Sequence, residues 1–248
     1  MIRQFIKKII YRYHDLIDRN LFSEAHPYWA EVDHGNYDQI YLETYQKTNT
    51  RSGISRRDRF YNLYTALTAS NHLKGATTGD HIVECGVFHG HSSLIMLSRL
   101  KELDSKFDGE GYYAVDSFEG LSKPSEKDDL GAEWEGKMHA DFEKTSKVLK
   151  SAFPKVNVIK GYIPEVLKYL PDETYRFVHI DVDLANPTID ALNFFYPRLL
   201  VGGAIIIDDY GFKLWSGTKR AIDSFMDNKK DLYGQPLSTG QYLLIKYR

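Results

Sequence analysis

Residues 180–211 read IDVDLANPTIDALNFFYPRLLVGGAIIIDDYG. An apolar run ends on Asp181 and Asp183, and a second ends on the adjacent pair Asp208 and Asp209. Between them NPTIDALNFFYPRLL has helical patterning, with Pro187 near its first turn, where a missing N–H costs nothing. Strand, helix, strand in this order is a right-handed crossover between parallel neighbours. The two acidic pairs are therefore expected side by side on one rim of a sheet.

The same alternation extends in both directions. HIVECG reads as a strand, HSSLIMLSRLKEL as a helix, GYYAVDSF as a strand, DFEKTSKVLKSAF as a helix and KVNVIKG as a strand. IPEVLKYL follows as a short helix and YRFVHIDVD as the strand that enters the opening stretch. After it come the helix SGTKRAIDSFMDNK and a closing strand, QYLLIKYR. This pattern predicts an α/β fold with a mostly parallel sheet covered on both faces. Such sheets bind ligands beyond the carboxyl ends of their strands. Glu84, Asp116, Asp181 and Asp208 each stand where a strand should stop, so four strands deliver a carboxylate to one rim.

Bulk composition narrows the classes. The 248 residues are 42% hydrophobic and 27% charged, an ordinary globular balance with enough chain for a full core. A net charge of -2 argues against nucleic acid as a partner. The single cysteine, Cys85, cannot form an internal disulfide, which suits a reducing, cytoplasmic compartment. No stretch approaches the roughly 20 apolar residues of a membrane span.

Residues 1–75 read as a helical extension before the main domain, 76–248. Within 1–17, Ile2, Phe5, Ile6, Ile9, Ile10, Tyr13 and Ile17 keep helical spacing, with Arg3, Lys7, Lys8 and Arg12 between them. The stretch lacks the uninterrupted apolar run and cleavage site of a secretory signal. It is read as a helix packing on its own domain or on a second subunit in a homodimer. The alternative is peripheral contact with an anionic membrane at its inner face. Ser55–Leu73 is a second helix, capped by Ser55. The polar, glycine-bearing segment 120–140 has the length of a lid, with Trp134 as an apolar contact.

In VECGVFHGHSS (83–93), Gly86 and Gly90 allow a tight turn and close approach to a ligand. The helix from His91 offers free N–H groups, and Ser92 and Ser93 could add hydroxyl donors. The spacing E-x-G-x-x-x-G differs from the dinucleotide fingerprint G-x-G-x-x-G, which argues against an oxidoreductase. In YAVDSFEGL (113–121), Asp116 stands where nucleoside-binding sheets place an acidic acceptor for ribose hydroxyls.

Taken together, E-x-G-V-x-x-G-x-S, D-S-F-x-G-L, D-x-D-x-x-x-x-T and G-G-x-x-x-x-D-D-Y-G resemble the TylF/MycF/NovP group of O-methyltransferases. That group depends on S-adenosylmethionine and magnesium and methylates sugar hydroxyls, notably on macrolide and aminocoumarin antibiotics. The resemblance covers roughly residues 50–248. It implies a Rossmann-like class I methyltransferase fold with a seven-stranded, mostly parallel sheet. It implies cofactor contacts from Glu84, Gly86, Val87, Ser92, Ser93, Asp116, Ser117 and Phe118. It also implies Mg²⁺ on Asp181, Asp208 and Asp209, with Asp183 as general base. One departure is Ala185, where the family usually carries an aromatic residue two places after the base, and this bears on the acceptor.

Elementary chemistry agrees with that implication. Oxygen-only ligands suit Mg²⁺. Three clustered carboxylates without a cation repel one another and raise pKa values. His179, inside an apolar strand, reads as a core residue rather than the base; His89, His91 and His139 have nothing that fixes them in a site. Three other readings remain at this level. One is a metal-dependent glycosyltransferase using Asp181-x-Asp183, another a metal-independent methyltransferase, and the third a silent cofactor-binding scaffold. The expected acceptor is a sugar-containing small molecule, polysaccharide or glycolipid.

Overall fold

The structure, a computed structural model, describes residues 43–45, 57–77 and 79–248. The amphipathic stretch 1–17 and the expected cap Ser55 lie outside the described residues. Helices α1 (Arg57–Ser70), α2 (His91–Leu103), α3 (Phe142–Ala152), α4 (Ala185–Phe195) and α5 (Ser216–Met226) surround one sheet. Its strands are β1 (Asp80–Cys85), β2 (Tyr112–Asp116), β3 (Asn157–Lys160), β4 (Thr174–Ile180), β5 (Leu199–Ile207), β6 (Leu232–Pro236) and β7 (Tyr242–Lys246).

The sheet order is β3-β2-β1-β4-β5-β7-β6. The first five strands run parallel; β7 is antiparallel to β5, and β6 to β7. Strand residues alternate between two packed faces, which is why β5, LLVGGAIII, carries no polar side chain. Val83, Val115, Val178, Ile180, Ile205 and Ile207 face one core with Ala191, Leu192, Phe195, Ile222 and Phe225 of α4 and α5. Ile82, Tyr112, Ala114, Phe177 and Ile206 face the other with Leu63 and Leu67 of α1, Met96 and Leu97 of α2 and Leu149 of α3. The described part of the N-terminal extension thus shares the core of the main domain.

Three expectations change in detail. The helix predicted over Ser55–Leu73 is α1 followed by a 3-10 turn, Asn71–Leu73. IPEVLKYL forms a 3-10 turn, Glu165–Tyr169. Strand β6, LYGQP, had no strand reading of its own; its Gly234 and Pro236 are breaker residues, tolerated because β6 is an edge. No described helix is long and apolar enough to cross a membrane.

The segment 120–140, expected as a lid, is tied down at its centre. Asp128 accepts from Ser125 N at 2.8 Å, from Ser125 Oγ at 2.7 Å and from Ala185 N at 2.6 Å, so it caps the first residue of α4. Arg220 of α5 pairs with Asp129 at 2.7 Å. Trp134 meets Trp215 edge-on at 5.3 Å, in a cluster with Leu121 and Leu184. Gly217 is needed beneath this segment, since a Cβ there would come 2.4 Å from Asp128 Oδ1.

Candidate active site

The site is laid out by backbone hydrogen bonds that carry the parallel ladder one residue past each strand. Gly86 N donates to Val115 O (2.8 Å), Asp181 N to Cys85 O (2.7 Å) and Asp208 N to Ile180 O (2.8 Å). Strand tips β2, β1, β4 and β5 are thereby held in line, and their side chains share one rim. Gly86 has φ 95°, and a Cβ there would lie 1.8 Å from Asp181 O, so only glycine lets these two tips meet.

Beyond the tips opens a cleft of about 150 Å³. Of the expected cofactor positions, Gly86, Asp116 and Ser117 line it, with Phe88, Met138 and Tyr162 nearby. Asp116 accepts from Phe88 N at 2.7 Å and from Phe118 N at 2.6 Å, which fastens the glycine-bearing turn to the end of β2. Burial raises the Asp116 carboxyl above its ordinary range, with those backbone N–H groups opposing the rise.

The other expected positions stand behind the wall. Glu84 is wholly buried, accepting from Ser93 Oγ and from Tyr112 Oη (3.1 Å) and pairing with His179 Nδ1 at 3.0 Å. Val87, Ser92 and Phe118 are also buried, Phe118 edge-on to Phe142 at 5.2 Å. Together they brace the turn from beneath.

Asp181 and Asp183 line the same cleft, and Asp208 and Asp209 lie buried beside them. Ligand atoms of Asp181, Asp183 and Asp209 come within 4.8 Å of one another, as do those of His179, Asp181 and Asp208. Asp183 (φ 61°) and Asp209 (φ 68°) both hold left-handed backbone, which turns each side chain back toward the rim. Such strain in non-glycine residues is typical of functional sites.

Electrostatics split the cluster. Burial, then Asp208 and Asp209, hold the Asp181 carboxyl well above the usual range. Burial, then Asp209 and Asp181, do the same to Asp183. At Asp208 burial pushes the same way, but Arg59 and His179 override it and hold the carboxyl below its ordinary range. Burial alone would lower the His179 imidazole; Asp208 and Glu84 on either side outweigh it and push its pKa up to about 10. His179 thus lies buried between the carboxylates of Glu84 and Asp208, a core residue as the sequence suggested.

Arg59 is the residue that sequence reasoning missed. Its guanidinium contacts Asp208 Oδ2, with Nη2 3.4 Å from Asp209 Oδ1 and 3.8 Å from Asp181 Oδ1. Gln241, just before β7, supports the same carboxylate, donating to Asp208 Oδ1 at 2.6 Å, and Asn62 donates to Gln241 Oε1 at 2.9 Å. The available signal was positional: Arg59, Leu63 and Leu67 are spaced four apart, so Arg59 continues the buried stripe of α1. His91 packs against Tyr45 (5.2 Å) and Phe60 (4.8 Å), and His139 is exposed outside the cleft.

A hard, oxygen-rich donor set with a cation already drawn between three carboxylates fits a divalent ion such as Mg²⁺. The cleft beside it, with an acidic acceptor at the end of β2, fits a nucleoside cofactor.

The chain is similar to known O-methyltransferases. The 8-demethyl-8-(2,3-dimethoxy-alpha-L-rhamnosyl)-tetracenomycin-C 4'-O-methyltransferase of Streptomyces olivaceus is 28% identical over 201 residues, covering 75% of this chain and 68% of that one. The demethyldecarbamoylnovobiocin O-methyltransferase of Streptomyces niveus is 24% identical over 187 residues, covering 71% of this chain and 67% of that one. Among solved structures, the O-methyltransferase NovP superposes with a TM-score of 0.66 at 21% identity, covering 77% of this chain and 81% of that one. The profile of the macrocin-O-methyltransferase (TylF) family matches residues 46–238, most of the chain. With its class I methyltransferase sheet and rim of aspartates, the chain belongs to the TylF family of S-adenosylmethionine-dependent O-methyltransferases.

Proposed function

We propose that this enzyme methylates a sugar hydroxyl, with Asp181, Asp208 and Asp209 holding Mg²⁺ and Asp183 taking the proton. The supporting observation is the convergence of four aspartates from two neighbouring strand tips, three of them in contact with Arg59, beside a cleft lined by Asp116. The acceptor class follows the relative from Streptomyces olivaceus, whose name places its methylation on a rhamnosyl compound.

S-adenosylmethionine, when bound, supplies a methyl carbon made electrophilic by its sulfonium; Mg²⁺, when bound, supplies Lewis acidity toward an acceptor oxygen. The chain supplies position and proton transfer. Asp116 accepts hydrogen bonds from ribose hydroxyls, and the bare backbone at Gly86 lets the cofactor lie against the strand tips. Asp183 accepts the acceptor hydroxyl's proton. Met138, Tyr162 and Pro187 give the cleft an apolar wall. Ala185, buried as the first residue of α4, offers no ring to stack on a sugar.

Labelled methyl transfer from S-adenosylmethionine to sugar acceptors, with and without EDTA, tests the reading. Asp208→Ala is expected to abolish turnover, and Asp183→Asn to cost roughly 10²–10⁴-fold, the usual yield of general base catalysis. Undiminished turnover by Asp208→Ala would sink it. Arg59 also favours a second reading, in which a guanidinium permanently fills the cation's place and no metal is used. Full activity in EDTA would select it.

A further inference from the structure

The three carboxylates proposed as metal ligands are the three that Arg59 approaches. All of its contacts come from one nitrogen, Nη2, whereas its Nε is buried without a hydrogen-bond partner among the described residues. A guanidinium built permanently into a site usually spreads its donors over several acceptors. Here one nitrogen hydrogen-bonds to Asp208 and Asp209 and lies 3.8 Å from Asp181, and the Nε–H is left unsatisfied, at a real cost. Phe212 lies 5.6 Å from the guanidinium carbon and forms a side wall, so the arginine leans on an aromatic face rather than in a fitted polar socket.

A divalent ion on the same oxygens would stand at contact distance from Nη2, where the two like charges repel. We propose that Arg59 is the resident counter-cation of the metal-free enzyme and that divalent metal binds by displacing it. This rests on the magnesium reading above. The arginine keeps Asp181, Asp208 and Asp209 together while no ion is bound, and it lowers the apparent affinity of the site for the ion.

Mn²⁺ binding to the full chain, read by calorimetry without cofactor or acceptor, tests this. Arg59→Met is expected to bind Mn²⁺ at least about tenfold tighter than the parent, since a unit charge at contact is removed. Its melting temperature in EDTA is expected to fall below the parent's and to recover with Mn²⁺. Equal or weaker binding by Arg59→Met overturns the displacement while leaving the metal site standing. If neither protein binds Mn²⁺, or if Asp208→Asn binds it as well as the parent, the magnesium reading itself fails and this inference with it. A second measurement needs no variant. Phenylglyoxal should label Arg59 of the parent slowly in EDTA and several-fold faster with Mn²⁺, by peptide mapping; an unchanged rate overturns the proposal.

Discussion

Asp116 answers two demands at once. Its two oxygens already accept Phe88 N and Phe118 N, yet it lines the cleft where a ribose is expected. Burial raises its folded pKa above the unfolded value of about 3.9. The folded state therefore binds the proton more tightly, and the stability from this group is present below about pH 3.9 and lost as pH rises through the folded pKa. Cofactor affinity runs the opposite way, because the ionised carboxylate is the better acceptor. S-adenosylhomocysteine binding, measured by calorimetry, should be flat near neutrality and weaken on acidification at a pH above the ordinary aspartate range. Asp116→Asn should bind roughly 10–100-fold more weakly at pH 7, the scale of one charge-assisted hydrogen bond. Parent-like affinity in that variant would remove Asp116 from the cofactor site. Asp116, Asp181, Asp183, Asp208 and Asp209 were legible in sequence because each follows an apolar run that must be a strand. Arg59 was not, because RRDRF reads as a solvated charge run until its helical phase against Leu63 and Leu67 is known.

At the scale of elements, periodicity located the parallel strands and the helices between them because both faces of the sheet are covered. β6 escaped because an edge strand accepts the glycine and proline that a central strand cannot. The segment 120–140 shows a different limit. Its composition suggested a flap, but Asp128 carries no local signature of its partner, Ala185 N, which lies 57 residues away. That one side chain joins the segment to the helix that follows Asp183. Asp128→Ala is expected to cost about 1–3 kcal/mol, through a lost helix cap and an unsatisfied buried N–H. At about 2–4 °C per kcal/mol for a chain of this size, calorimetry should see a clear drop in melting temperature. Faster proteolysis within 120–140 should accompany it, and a parent-like melting curve would show the anchor to be incidental.

At the scale of the molecule, the division at residue 75 marks a change of chain character rather than a separable unit. Leu63 and Leu67 are wholly buried in the same core as Phe177 and Ile206. A chain beginning at Ala76 would expose that apolar patch and lose Arg59 from the acidic rim. Fully burying a leucine is worth about 1.5–3 kcal/mol, so losing both is a large share of a typical domain's stability. Such a chain is expected to aggregate or to melt many degrees lower by circular dichroism. An unchanged melt would make 76–248 a domain in its own right.

The distances along the chain between partners at this rim also bear on how the protein reaches its native state. Arg59 meets Asp208 across 149 residues, and Asn62 meets Gln241 across 179. Contacts that close such long loops pay their entropy before they return any energy, and they tend to form late. A collapsing chain can therefore assemble the strand tips and bring their aspartates together before the arginine that neutralises them has docked. Self-repulsion in that half-built state makes early closure unfavourable, so cations in the folding medium should speed the final step.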